Sequence, residues 1–229
     1  MTIVDLTLTI DNFMPAHQAM PKPVYLSFLT HEQCAGFGLG LPDDPYLSAI
    51  EYLGMVNHVG THVDALYHFG PDGATIDEMP IEMFQGKAVC LDLTHIPDKG
   101  DIGARDLALA EQKSGVKIDG HIVLLNTGFH SRHFPRDSVM YDNPGLTAEA
   151  THWLADRSPL HGVEGSSTDR QNFREYPNHR VCRDRGITHY EWLVNLEQLV
   201  GKGEFHFQGI PLRLKRGSGA PVRAFAVLD

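Results

Sequence analysis

Short apolar stretches run through the chain, and segments rich in glycine and proline separate them. Residues 2–10 alternate β-branched or apolar residues with polar ones, which is the pattern of a half-buried strand. Ile122–Asn126 is continuously apolar up to its last residue, as expected of a strand that is buried on both faces. Four more segments are predicted as strands, namely 49–59, 88–93, 205–214 and 222–228.

A second pattern, with apolar residues at helical spacing, predicts helices between these strands. The predicted helical segments are 80–84, which could also be a turn, 102–114, 146–156 and 179–185. Gly115 follows the second of them, where a glycine commonly ends a helix, and Thr147 can cap the start of the third. Strands that alternate with helices predict an α/β fold, with one mixed domain over residues 1–229.

Repeated prolines and glycines break both patterns over residues 12–45. This segment is predicted to be a loop or arm region, with one short strand at Val24–Leu29. Loops of this length in a compact domain are usually lids or interface arms, and an irregular surface segment is the alternative.

Composition and charge exclude several classes of protein. The chain is 42% hydrophobic and 21% charged, an ordinary globular composition, and its net charge of −10 comes without a basic cluster, so no nucleic-acid partner is expected. No apolar run reaches membrane length, and the N-terminus does not have the pattern of a signal peptide. The three cysteines are widely separated and odd in number, which indicates free thiols in a reducing compartment. We therefore expect a cytoplasmic protein without a membrane partner.

Four potential metal ligands fall within a short stretch: His58, His62, Asp64 and His68. In a strand, a rise of ~3.3 Å per residue would separate His58 from Asp64 by roughly 20 Å. That distance is too long for one ion, whose ligands lie ~2 Å away. In a helix, Asp64 would point away from the face that His58 and His62 share. A bend brings the three together, and Gly60 permits one.

This stretch therefore predicts a divalent metal held by imidazoles and a carboxylate, with His68 as a candidate acid/base. The alternative is chance clustering, because the chain has 14 histidines.

The pattern H-x-G-T-H-x-D-x-x-x-H-F over residues 58–69 resembles the signature of the metal-dependent cyclase family, which includes bacterial kynurenine formamidases and isatin hydrolases. The likeness continues in the segments 84–89, 120–128, 162–169 and 195–199. Leu66 stands where the family commonly has proline, a difference that removes no ligand. The resemblance implies a swivelling β/β/α-like fold.

The resemblance also implies a second half of the site, at His179 and Glu191. His58 and His62 would hold one ion and His179 a second, while Asp64 and Glu191 would bridge the two. Such ligands suit zinc or manganese. Isatin hydrolases work with a single manganese ion, so one or two ions per chain are both possible.

Other residues near these motifs are given supporting roles. His189 is interpreted as structural. Because no G-x-S-x-G motif is present, the polar residues of the 162–169 segment are expected to hydrogen-bond to the ligands: Ser166, Ser167 and Asp169. Several aromatic residues are candidates for an apolar pocket: Tyr67, Phe69, Phe129, Phe173 and Trp192. His130 and His133 are left without a role.

The resemblance implies a hydrolase that acts on non-peptide C–N bonds. A metal-activated water would attack the carbonyl carbon, with His68 as general acid/base. Kynurenine formamidases have a Trp-Pro-Gly-type segment near the N-terminus, whereas the first tryptophan here is Trp153. A small amide, cyclic and isatin-like, is therefore the favoured substrate. Lactone hydrolysis, arylformamidase activity and a non-catalytic binding module are the alternatives. The family also implies a homodimer or homotetramer.

Overall fold

The computed structural model describes residues 1–39, 41, 44, 48–171 and 175–228. Its backbone separates into two compact units: Met1–Leu8 with Asn57–Asp229, and Thr9–Val56. Both strands and helices are present, so the predicted mixed α/β class is confirmed. The assignment of residues 1–229 to one hydrolase domain stays a prediction.

The secondary structure consists of short strands and helices in alternation. The strands are β1 Thr2–Asp5, β2 Val24–Leu29, β3 Ile50–Gly54, β4 His62–Asp64, β5 Gln85–Asp92, β6 Asp101–Ile102, β7 Ile122–Asn126, β8 Gly145–Leu146, β9 Leu160–Val163, β10 Thr188–Glu191, β11 Phe205–Gln208, β12 Gly219–Pro221 and β13 Phe225–Leu228. The α-helices are α1 His31–Gly36, α2 Leu66–Phe69, α3 Ala104–Ser114, α4 Phe129–His133, α5 Ala148–Ala155 and α6 Pro177–Arg185. Short 3₁₀ helices cover Ile81–Phe84, Asp137–Met140 and Leu196–Gln198. In the described part of the chain, no helix has both the length and the apolar character needed to cross a bilayer.

A nine-stranded mixed sheet organises the larger unit, in the order β1-β13-β11-β5-β7-β9-β10-β4-β12. The strands β5, β7, β9 and β10 are parallel to one another. The short strand β4 lies between β10 and β12 and is antiparallel to both. This order places the histidine-rich stretch next to the strand that ends at Glu191.

Both faces of this sheet are covered, as the alternation along β5 shows. Ala88 and Cys90 pack into one apolar cluster with Phe84 and Phe207. Val89 and Leu91 point to the other face, into a second cluster that α3 and α5 complete. A strand covered on both faces is almost continuously apolar, and that is the pattern by which β5 and β7 are recognisable in the sequence.

The roles predicted for Thr147 and Gly115 at helix termini are confirmed. Thr147 Oγ1 accepts a hydrogen bond from the Ala150 N–H at the start of α5. Gly115 adopts left-handed backbone torsion angles directly after α3, with φ +71°. The last predicted helix begins two residues earlier than expected, at Pro177, and ends before Gly186 as predicted.

Several predicted strands are shorter in the structure. β11 ends at Gln208 because the backbone of Gly209 lies against the Tyr190 ring and Pro211 has no N–H to donate. The segment 49–59 is a strand only over Ile50–Gly54. β9 and β10 were not predicted, since each is four residues long and contains polar residues.

The smaller unit contains β2 and β3, which pair antiparallel, and α1. The strand predicted at Val24–Leu29 is confirmed, and α1 was missed. A capping box begins α1, because Thr30 Oγ1 accepts from Gln33 N and Gln33 Oε1 accepts from Thr30 N.

Candidate metal centre

The histidine-rich stretch is neither one strand nor one helix. His58 lies in a turn, His62 and Asp64 lie on β4, and His68 lies on α2. Gly60 connects the turn to β4 with φ +73°, a torsion angle that glycine adopts without strain. The predicted bend at Gly60 is confirmed.

Pairing between β4 and β10 brings the two halves of the site together. Glu191 is the register partner of His62, and Tyr190 is the partner of Val63. Because side chains alternate along a strand, Val63 and Tyr190 enter the apolar cluster while His62 and Glu191 point to the opposite face. Asp64 lies two residues beyond His62 and shares its face.

Three donor atoms form the first group, which comes from the first motif. His58 Nδ1 lies 2.8 Å from Asp64 Oδ1, and His62 Nε2 lies 3.4 Å from the same oxygen. Two ligands of one tetrahedral zinc ion, each bonded at ~2.1 Å, are separated by ~3.4 Å. The distance from His62 Nε2 to Asp64 Oδ1 matches this ligand spacing, and His58 Nδ1 lies on the same carboxylate oxygen.

Two atoms of this group lack ordinary hydrogen bonds. Among the described residues, His62 Nε2 and Asp64 Oδ1 are buried and have no hydrogen-bond partner of normal geometry. A buried polar atom left in this state typically costs ~1–3 kcal/mol. A divalent cation would satisfy both atoms, so the residues present fit the metal that the resemblance implies.

Neighbouring groups orient the imidazoles of this first group. His62 Nδ1 lies 2.8 Å from the Gly60 carbonyl, which can only accept, so Nδ1 carries the proton and Nε2 is left free to bind. His58 Nε2 lies 2.9 Å from Ser218 Oγ, which also accepts from Asn57 Nδ2. Ser218 is 160 residues from His58, and no local pattern connects the two.

A second group of donor atoms lies on the other side of the Asp64 carboxylate. It comprises Asp64, His179, His189 and Glu191, whose donor atoms all lie within 4.8 Å of one another. His179 Nε2 is 3.9 Å from Asp64 Oδ2. Glu191 Oε2 is 3.5 Å from His62 Nε2 and so connects the two groups. The structure thus brings together all the predicted ligands.

His189 is the residue that the sequence interpretation set aside. It is fully buried, and its Nε2 lies 3.2 Å from Asp64 Oδ2 and 3.4 Å from Glu191 Oε1. His189 lies two residues before Glu191, so on a strand the two side chains share the face that carries the metal-type donor atoms. This relationship becomes usable only once β10 is known to be a strand.

Asp169 orients His179. Its Oδ2 lies 2.5 Å from His179 Nδ1, and its two oxygens also accept from the backbone N–H groups of Asn178 and His179. A carboxylate on the outer nitrogen of a histidine is the usual support for a metal ligand. The hydrogen bond predicted between Asp169 and His179 is therefore present, and the role of His179 as a ligand stays a prediction.

The two serines of the same segment do not contact the ligands in the way predicted. Ser167 Oγ accepts from the Asp169 N–H, so it supports Asp169 rather than a ligand. The prediction for Ser166 is wrong, because its hydroxyl donates to the Met140 carbonyl.

The charges of the site favour a cation. Burial alone would raise the pKa of Asp64, but the imidazoles of His189, His58 and His62 hold that pKa well below its usual range. Burial opposes the charged form of His62, yet the pKa of His62 is raised, chiefly by Asp64. Buried carboxylates that attract protons to this degree also attract metal ions.

His68 lies on the open side of the first group. Its side chain is 35% exposed, against 11% for His58, and its Nε2 is 3.8 Å from Asp64 Oδ2. Burial of the ring lowers the pKa of His68 to about 4; the charge on Asp64 raises it and the neighbouring imidazoles lower it. His68 is therefore a neutral imidazole at pH 7 and can accept a proton. Donor atoms of His58, Asp64 and His68 also lie within 4.8 Å of one another, so the geometry allows His68 either role.

Only some of the predicted aromatic residues surround the centre. The Phe69 ring lies 5.7 Å from His68 and 5.3 Å from both His179 and His189. Phe129 and Trp192 are buried in the core, and Phe173 lies outside the described residues.

The two histidines left without a role, His130 and His133, both lie on α4. His133 is held by Asp98 and Ser138, while His130 stacks on Phe134.

Comparison with known proteins agrees with the predicted family resemblance. A sequence profile of the Cyclase family matches residues 4–170. Kynurenine formamidase from Salinibacter ruber is 32% identical to the chain over 181 residues, which cover 75% of this chain and 76% of that protein. Kynurenine formamidase from Delftia acidovorans is 30% identical over 227 residues, with 96% and 97% covered. Isatin hydrolase A from Ralstonia solanacearum superimposes with a TM-score of 0.85 at 25% identity, over 100% of this chain and 92% of that one. The predicted resemblance and its fold are confirmed.

Proposed function

The chain belongs to the Cyclase family, and we propose that it is a metal-dependent hydrolase that opens a small amide. One observation supports this most directly. Among the described residues, His62 Nε2 and Asp64 Oδ1 are buried 3.4 Å apart and have no hydrogen-bond partner of normal geometry. The neutral His68 lies beside them on the open side. This arrangement suits a hydrolytic metal centre and is costly without an ion.

His58, His62 and Asp64 would hold one divalent ion, zinc or manganese, and His179 and Glu191 would hold a second with Asp64 between them. When bound, such an ion lowers the pKa of water to ~7 and polarises a carbonyl group. The chain contributes the orientation of these ligands, through Gly60, Ser218 and Asp169.

We assign proton transfer to His68. Its Nε2 faces the ligand carboxylate, and its ring lies 4.3 Å from that of His58. As a neutral imidazole it would take a proton from the attacking water at Nε2 and deliver it to the leaving nitrogen. A closed binding site would not need such a group on its open side, which argues against a module that binds metal without turnover.

A cyclic amide or imide is the substrate class that we favour. The first tryptophan of the chain is Trp153, so the aromatic segment that kynurenine formamidases carry near the N-terminus is missing. The chain is also similar over its full length to isatin hydrolase A, an enzyme named for a cyclic amide. Lactone hydrolysis is the second candidate because the same machinery would serve it, and arylformamidase activity is the third.

A substrate panel on metal-reconstituted protein tests this proposal. It contains isatin, simple cyclic imides, lactones and N-formylkynurenine. We expect the best cyclic amide or imide to exceed N-formylkynurenine in kcat/KM. A kcat/KM for N-formylkynurenine of ~10⁴ M⁻¹s⁻¹ or more, in the ordinary enzyme range, would instead favour arylformamidase activity. No turnover of any compound would reject the hydrolase.

We also propose that the protein works as a homodimer or homotetramer in the cytoplasm. The strands β2 and β3 expose large apolar side chains, among them Phe28 at 62% and Tyr52 at 53%. Two strands alone are marginally stable in water, so contact with a second copy would stabilise them. The buried free thiols Cys34, Cys90 and Cys182 suit a reducing compartment. Light scattering on the full chain at micromolar concentration checks the assembly, and a monomeric mass would contradict it.

A further inference from the structure

His189 lies between two buried carboxylates. Its Nε2 is 3.2 Å from Asp64 Oδ2 and 3.4 Å from Glu191 Oε1, and its side chain is fully buried. These separations are close to the ~3.4 Å expected between two ligands of one tetrahedral ion. Nε2 can face two carboxylates only if it carries a proton or binds a cation that lies among them.

The other side of the ring favours the tautomer that a ligand needs. His189 Nδ1 lies 3.7 Å from Cys182 Sγ, and the Cys182 thiol donates to Asn178 Oδ1. With its hydrogen used in that way, Sγ can only accept, so the Nδ1 atom of His189 carries the ring proton. Nε2 also lies 3.3 Å from Thr168 Oγ1, whose hydroxyl donates to Asn178 Oδ1, so a proton on Nε2 serves this side of the ring when no ion is bound. A divalent ion among Asp64 and Glu191 would take the place of that proton.

A competing set of donors lies behind His189. Atoms of His161, Cys182 and His189 also lie within 4.8 Å of one another. This set has no carboxylate, and His161 Nε2 is already 3.1 Å from Asn178 Nδ2, from which it accepts. A protonated thiol is not a metal ligand. The carboxylate side is therefore favoured.

We propose that His189 is a fourth protein ligand of the second ion, beside Asp64, His179 and Glu191. This inference rests on the proposed metal-dependent function. Four protein ligands are typical of closed, structural sites, whereas three ligands and an open position are typical of catalytic ones. The first site, with His58, His62 and Asp64, would then be the one that receives substrate, and the second ion would fix the shared carboxylates.

Cobalt(II) loading of the purified full chain tests the proposal. Metal analysis and the visible absorption of Co²⁺ are measured for wild type, His189→Gln, His161→Gln and His95→Gln, the last of which changes an exposed histidine that is paired with Asp106. We expect two Co²⁺ per chain in wild type. His189→Gln should keep the first ion and bind the second about tenfold or more weakly, with a loss of the intense absorption of a tetrahedral site. The two control variants should retain both ions.

Several results overturn the proposal and leave the metal-dependent function standing. These are a second ion bound by His189→Gln with unchanged affinity and spectrum, parallel loss of that ion in a control variant, and a single Co²⁺ per chain in an active wild type. A wild type that binds no ion rejects the proposed function itself.

A measurement on wild type covers the case in which His189→Gln does not fold. The paramagnetically shifted imidazole N–H signals of the Co²⁺ protein should number four if His189 is a ligand. Three such signals would contradict the assignment.

Discussion

Glu191 on β10 lies directly opposite His62 on β4, and its Oε2 is 3.5 Å from His62 Nε2. This pairing connects a motif near residue 60 with the segment near residue 190. A shift of one residue in its register would put Tyr190 on the donor face and Glu191 into the apolar core, at a large energetic cost. The register of two short strands therefore determines whether the site exists.

Gly219→Ala should disturb the first group of ligands. Gly219 is the register partner of Asp64, and a Cβ there would lie 2.7 Å from His58 Cε1 and 2.8 Å from the Val63 carbonyl oxygen. We expect lower metal content, and because a displacement of about 1 Å can cost ~10²-fold, kcat/KM should fall by that order. Mass spectrometry of bound metal and steady-state kinetics check this.

The matched control for this glycine is Gly36→Ala. Within the described part of the chain, a Cβ at Gly36 would have no atom within 4 Å, and no unusual backbone angle is required there. This variant should keep the metal content of wild type. If Gly219→Ala also kept the metal content of wild type, the close packing of Gly219 against His58 would not be needed for metal binding.

Asp169→Asn should weaken the second site without removing a ligand. Asp169 Oδ2 lies 2.5 Å from His179 Nδ1. Loss of such an outer carboxylate typically lowers metal affinity or activity by about 10–100-fold. Titration with Zn²⁺ or Mn²⁺ measures the change. Asp119→Asn, which removes an exposed carboxylate, is the control. If the two variants bound the metal ion with equal affinity, Asp169 would have no role in metal binding.

His58→Ala and His68→Ala should separate binding from proton transfer. The first removes a proposed ligand, so metal content and activity should fall together. The second removes the proposed acid/base, so metal content should stay near wild type while kcat falls ~10²–10⁴-fold with little change in KM. Metal analysis beside kinetics distinguishes them. If His68→Ala lost metal in parallel with His58→Ala, His68 would be a ligand. If His68→Ala kept both its metal and its turnover, His68 would be structural.

The local part of the site was predictable because its residues are close in sequence. His58, His62 and Asp64 fall within one short motif, and a simple distance argument already required the bend that Gly60 provides. Thr147 and Gly115 were predictable for the same reason, since a helix terminus depends on neighbouring residues.

The remaining parts depend on contacts between distant segments. His189 becomes a candidate ligand only when β10 is seen to pair with β4, and Ser218 and Gly219 reach the site through β12. β9 and β10 are four residues each, which is too short for a hydrophobic pattern that would predict a strand. Residues that support a ligand from more than 100 positions away leave no local signal, so only the fold reveals them.

Removal of the metal tests the central claim most directly. The best substrate of the panel is measured with protein freed of metal by chelation, and again after addition of Zn²⁺ or Mn²⁺. We expect turnover to disappear and then return, and the melting temperature to fall and then recover, because bound ions stabilise the folded state. Full turnover by protein in which no metal is detectable would contradict the account.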